Sequence, residues 1–223
     1  MIDHVVHSPV AKPVGSARHR VDGDGWAGLV LGAASVAMAL VAGLCYTFSV
    51  AVMPNLADAD DSTFVATMQR FDDNPVFQVT FSTALVLTTL AVVLQRRHGS
   101  GVAVRWSVAA LALYGIVLAV TAGIHIPLNS EIDEAGDPDR IADLAYVRNQ
   151  HEGPWVAWNI VRTLLATAAV AALARALLVH GRSATDRNAG GSAGGPAWAP
   201  PATPLPARSS RSAEPSPQER TVR

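Results

Sequence analysis

Residues 26–53 read WAGLVLGAASVAMALVAGLCYTFSVAVM, a run without one charged side chain. A helix crosses a hydrocarbon core in roughly 20 residues, so this run is long enough to span a bilayer. Two more charge-free runs follow at residues 75–94 and 106–124. A fourth, residues 155–179, is broken only by Arg162 and by Arg175, which lies near its end and can snorkel. Half of the chain is hydrophobic and 16% is charged, a poor composition for a soluble domain. A soluble bundle would need a polar face on each outer helix, and the first three runs have none. Gly28, Gly32, Gly43, Gly115 and Gly123 would weaken soluble helices but permit close packing in lipid.

The expected fold is therefore all-α: an integral membrane, antiparallel four-helix bundle with two short extracytoplasmic loop helices and disordered termini. Spans are expected near residues 26–53, 75–94, 104–126 and 154–179. The domain division is a tail at 1–25, a transmembrane domain at 26–180, and a Pro-, Gly-, Ser- and Arg-rich tail at 181–223. The first run begins too late and runs too long for a cleaved signal peptide, and is expected to stay as a helix. The single cysteine, Cys45, forms no internal disulfide and reads as a packed thiol.

Orientation is set by the basic residues. Lys12, Arg18, Arg20, Arg96, Arg97, Arg105, Arg175, Arg182 and Arg187 flank one side, against Arg70, Arg140 and Arg148 on the other. The positive-inside rule then predicts a multi-pass protein of the cell membrane with both termini cytoplasmic. The net charge of −1 hides this polarity, and with no basic aromatic patch there is no case for nucleic acid. Membrane lipid is the expected partner; the oligomeric state is not legible.

The loops carry structure of their own. Asp61 or Ser62 is expected to cap a short amphipathic helix through Phe64, Met68 and Phe71. Asn74-Pro75 should start the second span, and Pro127 should end or kink the third. Asp137-Pro138 reads as the start of another loop helix, which Gly153-Pro154 should end.

Side chains that packing does not explain collect towards one side of the membrane: Gln69, Asn74, His125, Asn129, His151, Asn159 and Arg162. Trp155, Asn159 and Arg162 share one helical stripe, with Arg162 roughly 10 Å below Trp155. An intramembrane arginine marks a functional site by default. Two readings of it compete: outward snorkelling to Glu131, Asp133 or Glu152, or an inward position near Asn129 and His125. Trp155 and Trp158 read either as interfacial anchors or as substrate contacts. His125, His151, Glu131 and Glu152 lack the tight spacing of a metal site, so no metal and no cofactor is expected.

In order, Met53-Pro54-x-Leu56, Phe64 with Gln69, Asn74-Pro75, Pro127-Leu128-Asn129 and Trp155-x-x-x-Asn159-x-x-Arg162 resemble the anthrone-oxygenase-like family of small four-helix membrane proteins, over about residues 26–180. Many bacterial members are known only as a domain of unknown function. The resemblance implies oxidation of an anthrone-type aromatic or quinone-like molecule at the outer mouth of the bundle, without flavin or haem. On that reading His125, Asn129, Asn159 and Arg162 are catalytic, and Met53, Pro54, Phe64, Gln69, Asn74, Trp155 and Trp158 bind a small aromatic substrate. His125 would serve as base, while Arg162 with Asn129 or Asn159 would stabilise an enolate. The alternative is a non-catalytic membrane accessory, binding or transport-associated protein using the same polar cluster.

Overall fold

The structure, a computed structural model, describes residues 15–72 and 74–193, so the tails expected at either end lie largely outside the described residues; where they are described, at 15–25 and 181–193, they are helical rather than disordered. Among those residues every regular element is helical. Helix α1 (Gly15–Thr47) runs through a π-turn (Phe48–Val52) into α2 (Met53–Ala57), and α3 (Asp61–Asp72) comes after a short turn. Helix α4 (Pro75–His98) returns, and only Gly99 and Ser100 separate it from α5 (Gly101–Val120). A second π-turn (Thr121–His125) leads into α6 (Ile126–Glu134); a single 3-10 turn (Pro138–Arg140) then precedes α7 (Leu144–Ala193). Four stretches are long and apolar enough to cross a membrane: Gly25–Ala57, Pro75–His98, Gly101–Glu134 and Leu144–Asp186. The protein is an all-α, multi-pass membrane bundle.

The spans pack as a ring, α1 on α4, α4 on α5, α5 on α7 and α7 back on α1. Neighbours run antiparallel: Ala27, early in the first span, meets Gln95 late in α4, Phe81 early in α4 meets Tyr114 late in α5, Thr121 after α5 meets Arg162, and Cys45, late in α1, meets Asn159 early in the fourth span. Alanines line the helix seams, including Ala34, Ala84, Ala91, Ala110, Ala166, Ala169 and Ala176, all fully buried. Their small side chains let the backbones approach closely, which is how helices associate where no water drives them together. Leu31, Met38, Val41, Tyr114 and Leu173 fill the remaining space. Large apolar residues such as Leu29, Val86, Ile116 and Leu164 point outward, the pattern of a surface solvated by acyl chains.

Both π-turns precede a proline. Pro54 and Pro127 have no N–H, and each ring would press on the carbonyl four residues back, a defect of about 3 kcal/mol in a regular helix. The chain widens instead: Met53 N–H donates to Phe48 O and Ile126 N–H donates to Thr121 O, five residues back in each case. Such a turn resets the register of the helix beyond it. Pro127 accordingly does not end the third span, which continues to Glu134 because the π-turn accommodates the ring. Likewise Gly153-Pro154 ends nothing: Pro154 lies inside α7. Asp137 caps only the 3-10 turn, its carboxylate accepting from Asp139 N–H, and the α-helix begins at Leu144.

Asn74 caps α4 as expected, accepting from Val76 N–H (3.0 Å) ahead of Pro75. The cap of α3 is Asp60, one residue earlier than expected: its carboxylate accepts from Thr63 N–H (3.0 Å) and from the Ser62 and Thr63 hydroxyls. Helix α3 lies across one end of the bundle and seals it with Phe64, Val65 and Met68, all buried. Two side chains fasten it. Arg148 donates to the carbonyls of Leu56, Ala57 and Ala59, pairs with Asp61 and Glu152, and lies over the Phe64 ring. Gln69 donates to Ile132 O and Gly136 O, tying α3 to α6; Gly136 permits that turn by adopting φ +81°.

Candidate functional site

Below the α3 cap a cavity of about 470 Å³ opens among the four spans. Its apolar walls include five aromatic side chains: Phe48 from the first π-turn, Phe71 from α3, Phe77 and Phe81 from α4, and Trp155 from α7. Phe48 meets Phe71 and Phe77 edge-on at 5.0 and 5.6 Å, leaving a lining of ring faces and edges suited to a flat ligand.

The polar side of the cavity is a single network. Arg162 is 8% exposed and points inward, donating through Nη2 to Asn159 Oδ1 (2.8 Å) and through Nη1 to Thr121 Oγ1 (3.3 Å). Asn159 in turn donates to Cys45 O and to Ser49 Oγ, both at 2.9 Å. Helix α7 is thereby tied to the ends of α1 and α5 at their π-turns. Among the described residues, no carboxylate forms an ion pair with the guanidinium, and its buried Nε has no hydrogen-bond partner.

Trp155 organises the other half. Its Nε1–H donates to Asn129 Oδ1 (3.1 Å). The Arg162 guanidinium lies 5.7 Å from the indole centroid, and the His125 ring packs edge-on at 5.2 Å. Imidazole and guanidinium therefore flank one indole and both line the cavity. His125 is 2% exposed, and neither ring nitrogen makes a hydrogen bond of good geometry; only the backbone of Val120 and Trp155 comes near them. A buried imidazole satisfied only weakly by the backbone leaves hydrogen-bonding capacity for a group that enters the cavity.

The expected site residues divide cleanly. Asn74, His125, Asn129, Trp155, Asn159 and Arg162 line the cavity. Met53, Pro54, Phe64, Gln69 and Trp158 do not. Met53 and Phe64 pack in the core beneath the cap, Gln69 is a cap fastener, Pro54 shapes the first π-turn, and Trp158 is 40% exposed on the outer face of α7. His151 packs edge-on against Phe64 and its Nδ1 lies 3.1 Å from Leu128 O; Glu152 is engaged by Arg148. Among the described residues, no three His, Cys, Asp or Glu side chains form a metal-sized group. The sequence reading missed Phe48, Phe77, Phe81, Gln78 and Thr121. On α4 the signal was present, since Asn74, Gln78, Phe81, Ser82 and Leu85 recur at helical spacing.

Fold and site together define a multi-pass membrane protein with a cavity among its spans that aromatic and polar side chains line. The anthrone oxygenase family model matches residues 74–172, so the resemblance carried by the motifs is shown over that stretch, narrower than residues 26–180. The match takes in Asn74, His125, Asn129, Trp155, Asn159 and Arg162, but not the contributions of α1 and α3. Comparisons with curated proteins and with solved structures find no match.

Proposed function

We propose that the protein oxidises a flat, hydroxylated aromatic molecule of the anthrone or hydroquinone type, with dioxygen as oxidant. The observation that carries this reading is that buried His125, without a well-formed hydrogen bond to either nitrogen, and the inward-facing Arg162 both contact the same indole and both line the cavity. An anthrone is a carbon acid whose anion places charge on its carbonyl oxygen. His125 takes the methylene proton, and Arg162, fixed by Asn159 and Thr121, stabilises the oxyanion. The electron-rich carbanion then adds dioxygen, and the peroxide anion takes back the proton that His125 holds. The resulting hydroperoxide loses water across its C–H and O–O bonds, so that anthrone plus O2 gives anthraquinone plus H2O. The aromatic walls hold the ring system in place for both steps.

The test is oxygen uptake by the purified protein in lipid nanodiscs over a panel of anthrones and hydroquinones, with metal analysis of the same sample. One O2 consumed per anthrone, abolished by Arg162→Lys, is the expected result. No uptake on any substrate, with aromatic ligands still bound, would leave the non-catalytic binding protein as the better reading.

We also propose that the protein sits in the cell membrane with both termini cytoplasmic and the α3 cap outside, in line with the distribution of Lys and Arg. Impermeant thiol reagents applied to cells should modify Asp60→Cys and spare His98→Cys; the reverse pattern would invert the topology.

A further inference from the structure

The cavity has one open side. Among its lining residues, those that are exposed are Asn74, Pro75, Gln78, Ser82 and Leu85 of α4, and Ile126 at the start of α6. The walls given by α1, α3 and α7 are buried or half-buried. The end of the bundle is shut by α3, whose Met68 and Phe71 form the roof and which Arg148 and Gln69 hold in place. Towards the bundle centre, Tyr114 Oη donates to Phe81 O (2.8 Å) and closes α4 onto α5. What remains is a slit in the side of the molecule. Ser82 and Leu85 lie roughly 10 and 15 Å along α4 from Pro75, at a depth that belongs to acyl chains rather than water.

We propose that the cavity loads sideways from the bilayer, through this slit between α4 and the α5–α6 helix, and that its ligand is a membrane-partitioned molecule with a polar edge. Gln78 and Ser82 support that form of ligand. They are exposed polar side chains on a membrane-spanning helix, where polar groups are unfavourable unless they serve a pathway or a partner. On the slit they offer hydrogen bonds to a phenol or carbonyl that has left the headgroup region but has not reached Arg162. Leu85 and Ile126 give the apolar margin. The sideways route holds for any lipid-borne ligand; its aromatic character rests on the proposed oxidation.

The only cysteine, Cys45, lies on the cavity wall and reports on access without any substrate. In nanodiscs, where both membrane faces meet solvent, Cys45 would be labelled with N-phenylmaleimide, which partitions into lipid, or with a sulfonated maleimide, which does not. The lipid-borne reagent should react at least about tenfold faster, a barrier difference of roughly 1.4 kcal/mol. Ser82→Phe and Leu85→Phe should each slow it several-fold. Val86→Phe, on the neighbouring exposed face of α4 and away from the cavity, should not. Faster labelling by the charged reagent, equal slowing by Val86→Phe, or no labelling by either reagent would overturn the sideways route. A separate arm adds 1,8-dihydroxyanthraquinone. If it fails to protect Cys45 while the slit variants still slow labelling, the aromatic reading fails and the route stands.

Discussion

His125 and His180 are both buried imidazoles, one towards each end of the bundle, and they are held in opposite ways. At the uncapped end, His180 Nδ1 lies 3.2 Å from Gln95 Oε1, and Gln95 Nε2 donates to Ala27 O (3.4 Å), so α7, α4 and α1 are laced together. Gly28 sits so close that an added Cβ would lie 3.2 Å from His180 Nε2. The imidazole is packed directly against the α1 backbone. At the capped end, the same kind of side chain faces the 470 Å³ cavity with no well-formed hydrogen bond to either nitrogen. The His180 imidazole is satisfied within the helix packing, whereas the His125 imidazole faces open space, and the two ends of the bundle differ in that respect.

The sharpest way to break that contrast is Arg162. Arg162→Lys keeps a charge but loses the planar fork that meets Asn159 and Thr121 together, and should lower oxygen uptake by about 100-fold or more while expression stays near normal. Arg162→Leu should fold better than Arg162→Ala, because it fills space without a buried charge. Full activity in the Lys variant would remove the anion site. One step smaller, Asn159→Leu strips partners from Arg162, Ser49 and Cys45 O, and should cost about 2–4 kcal/mol in detergent unfolding as well as activity. Gln95→Leu, its counterpart at the other end, should cost about 1 kcal/mol and leave kcat unchanged. If Gln95→Leu damages activity as much as Asn159→Leu does, the two ends are not functionally distinct.

One end was legible in the sequence and the other was not, because the signals differ in how far they reach along the chain. Charge-free runs announce spans because the bilayer imposes length and apolarity directly, and Asn74-Pro75 announces a helix start because the cap is local. Arg162 and Asn159 could be paired by spacing alone. The prolines misled in part: Gly153-Pro154 read as a helix end, yet Pro154 lies within α7, and of the end or kink expected at Pro127 the end does not occur, because a π-turn carries the helix past it. With the register reset at residues 48–52 and 121–125, no regular period foretells that Phe48 and Thr121 turn inward. Trp158 and Trp155 look alike in sequence, and only the ring of helices decides that one meets lipid and the other the cavity. The Gln95–His180 lacing joins residues 85 positions apart and leaves no local trace.

The cap allows a third comparison, between its two fasteners and its own end. Arg148→Met removes three carbonyl contacts and two carboxylate pairs, and should raise hydrogen exchange across α3 by roughly 10- to 100-fold, a loss of about 1.5–3 kcal/mol. Gln69→Leu removes two contacts and should do the same more weakly. Exchange in α4 should be unaffected by either. An α3 that stays protected without Arg148 would mean that the Phe64, Val65 and Met68 packing alone holds the seal.

The smallest effect should come from Asp60, which lies outside the membrane-spanning segments. The Ser62 hydroxyl, then the Thr63 hydroxyl and amide, hold its carboxyl well below the ordinary carboxylate range. A carboxyl depressed in the folded state stabilises the fold fully above its unfolded value, ~3.9, and loses that contribution as pH falls through the lower folded value. The first turn of α3 should therefore stay protected at neutral pH and down through mildly acidic pH, fraying only in strong acid. Asp60 is fully exposed, so the change should be confined to exchange at Thr63 and Phe64 rather than to global unfolding. Asp60→Asn keeps a capping oxygen and should hold the turn at neutral pH while removing its acid sensitivity. Asp60→Ala should fray it at every pH. If the Asn variant frays in acid as the native chain does, the sensitivity lies elsewhere in the cap, with Asp61 and its Arg148 partner the next group to replace.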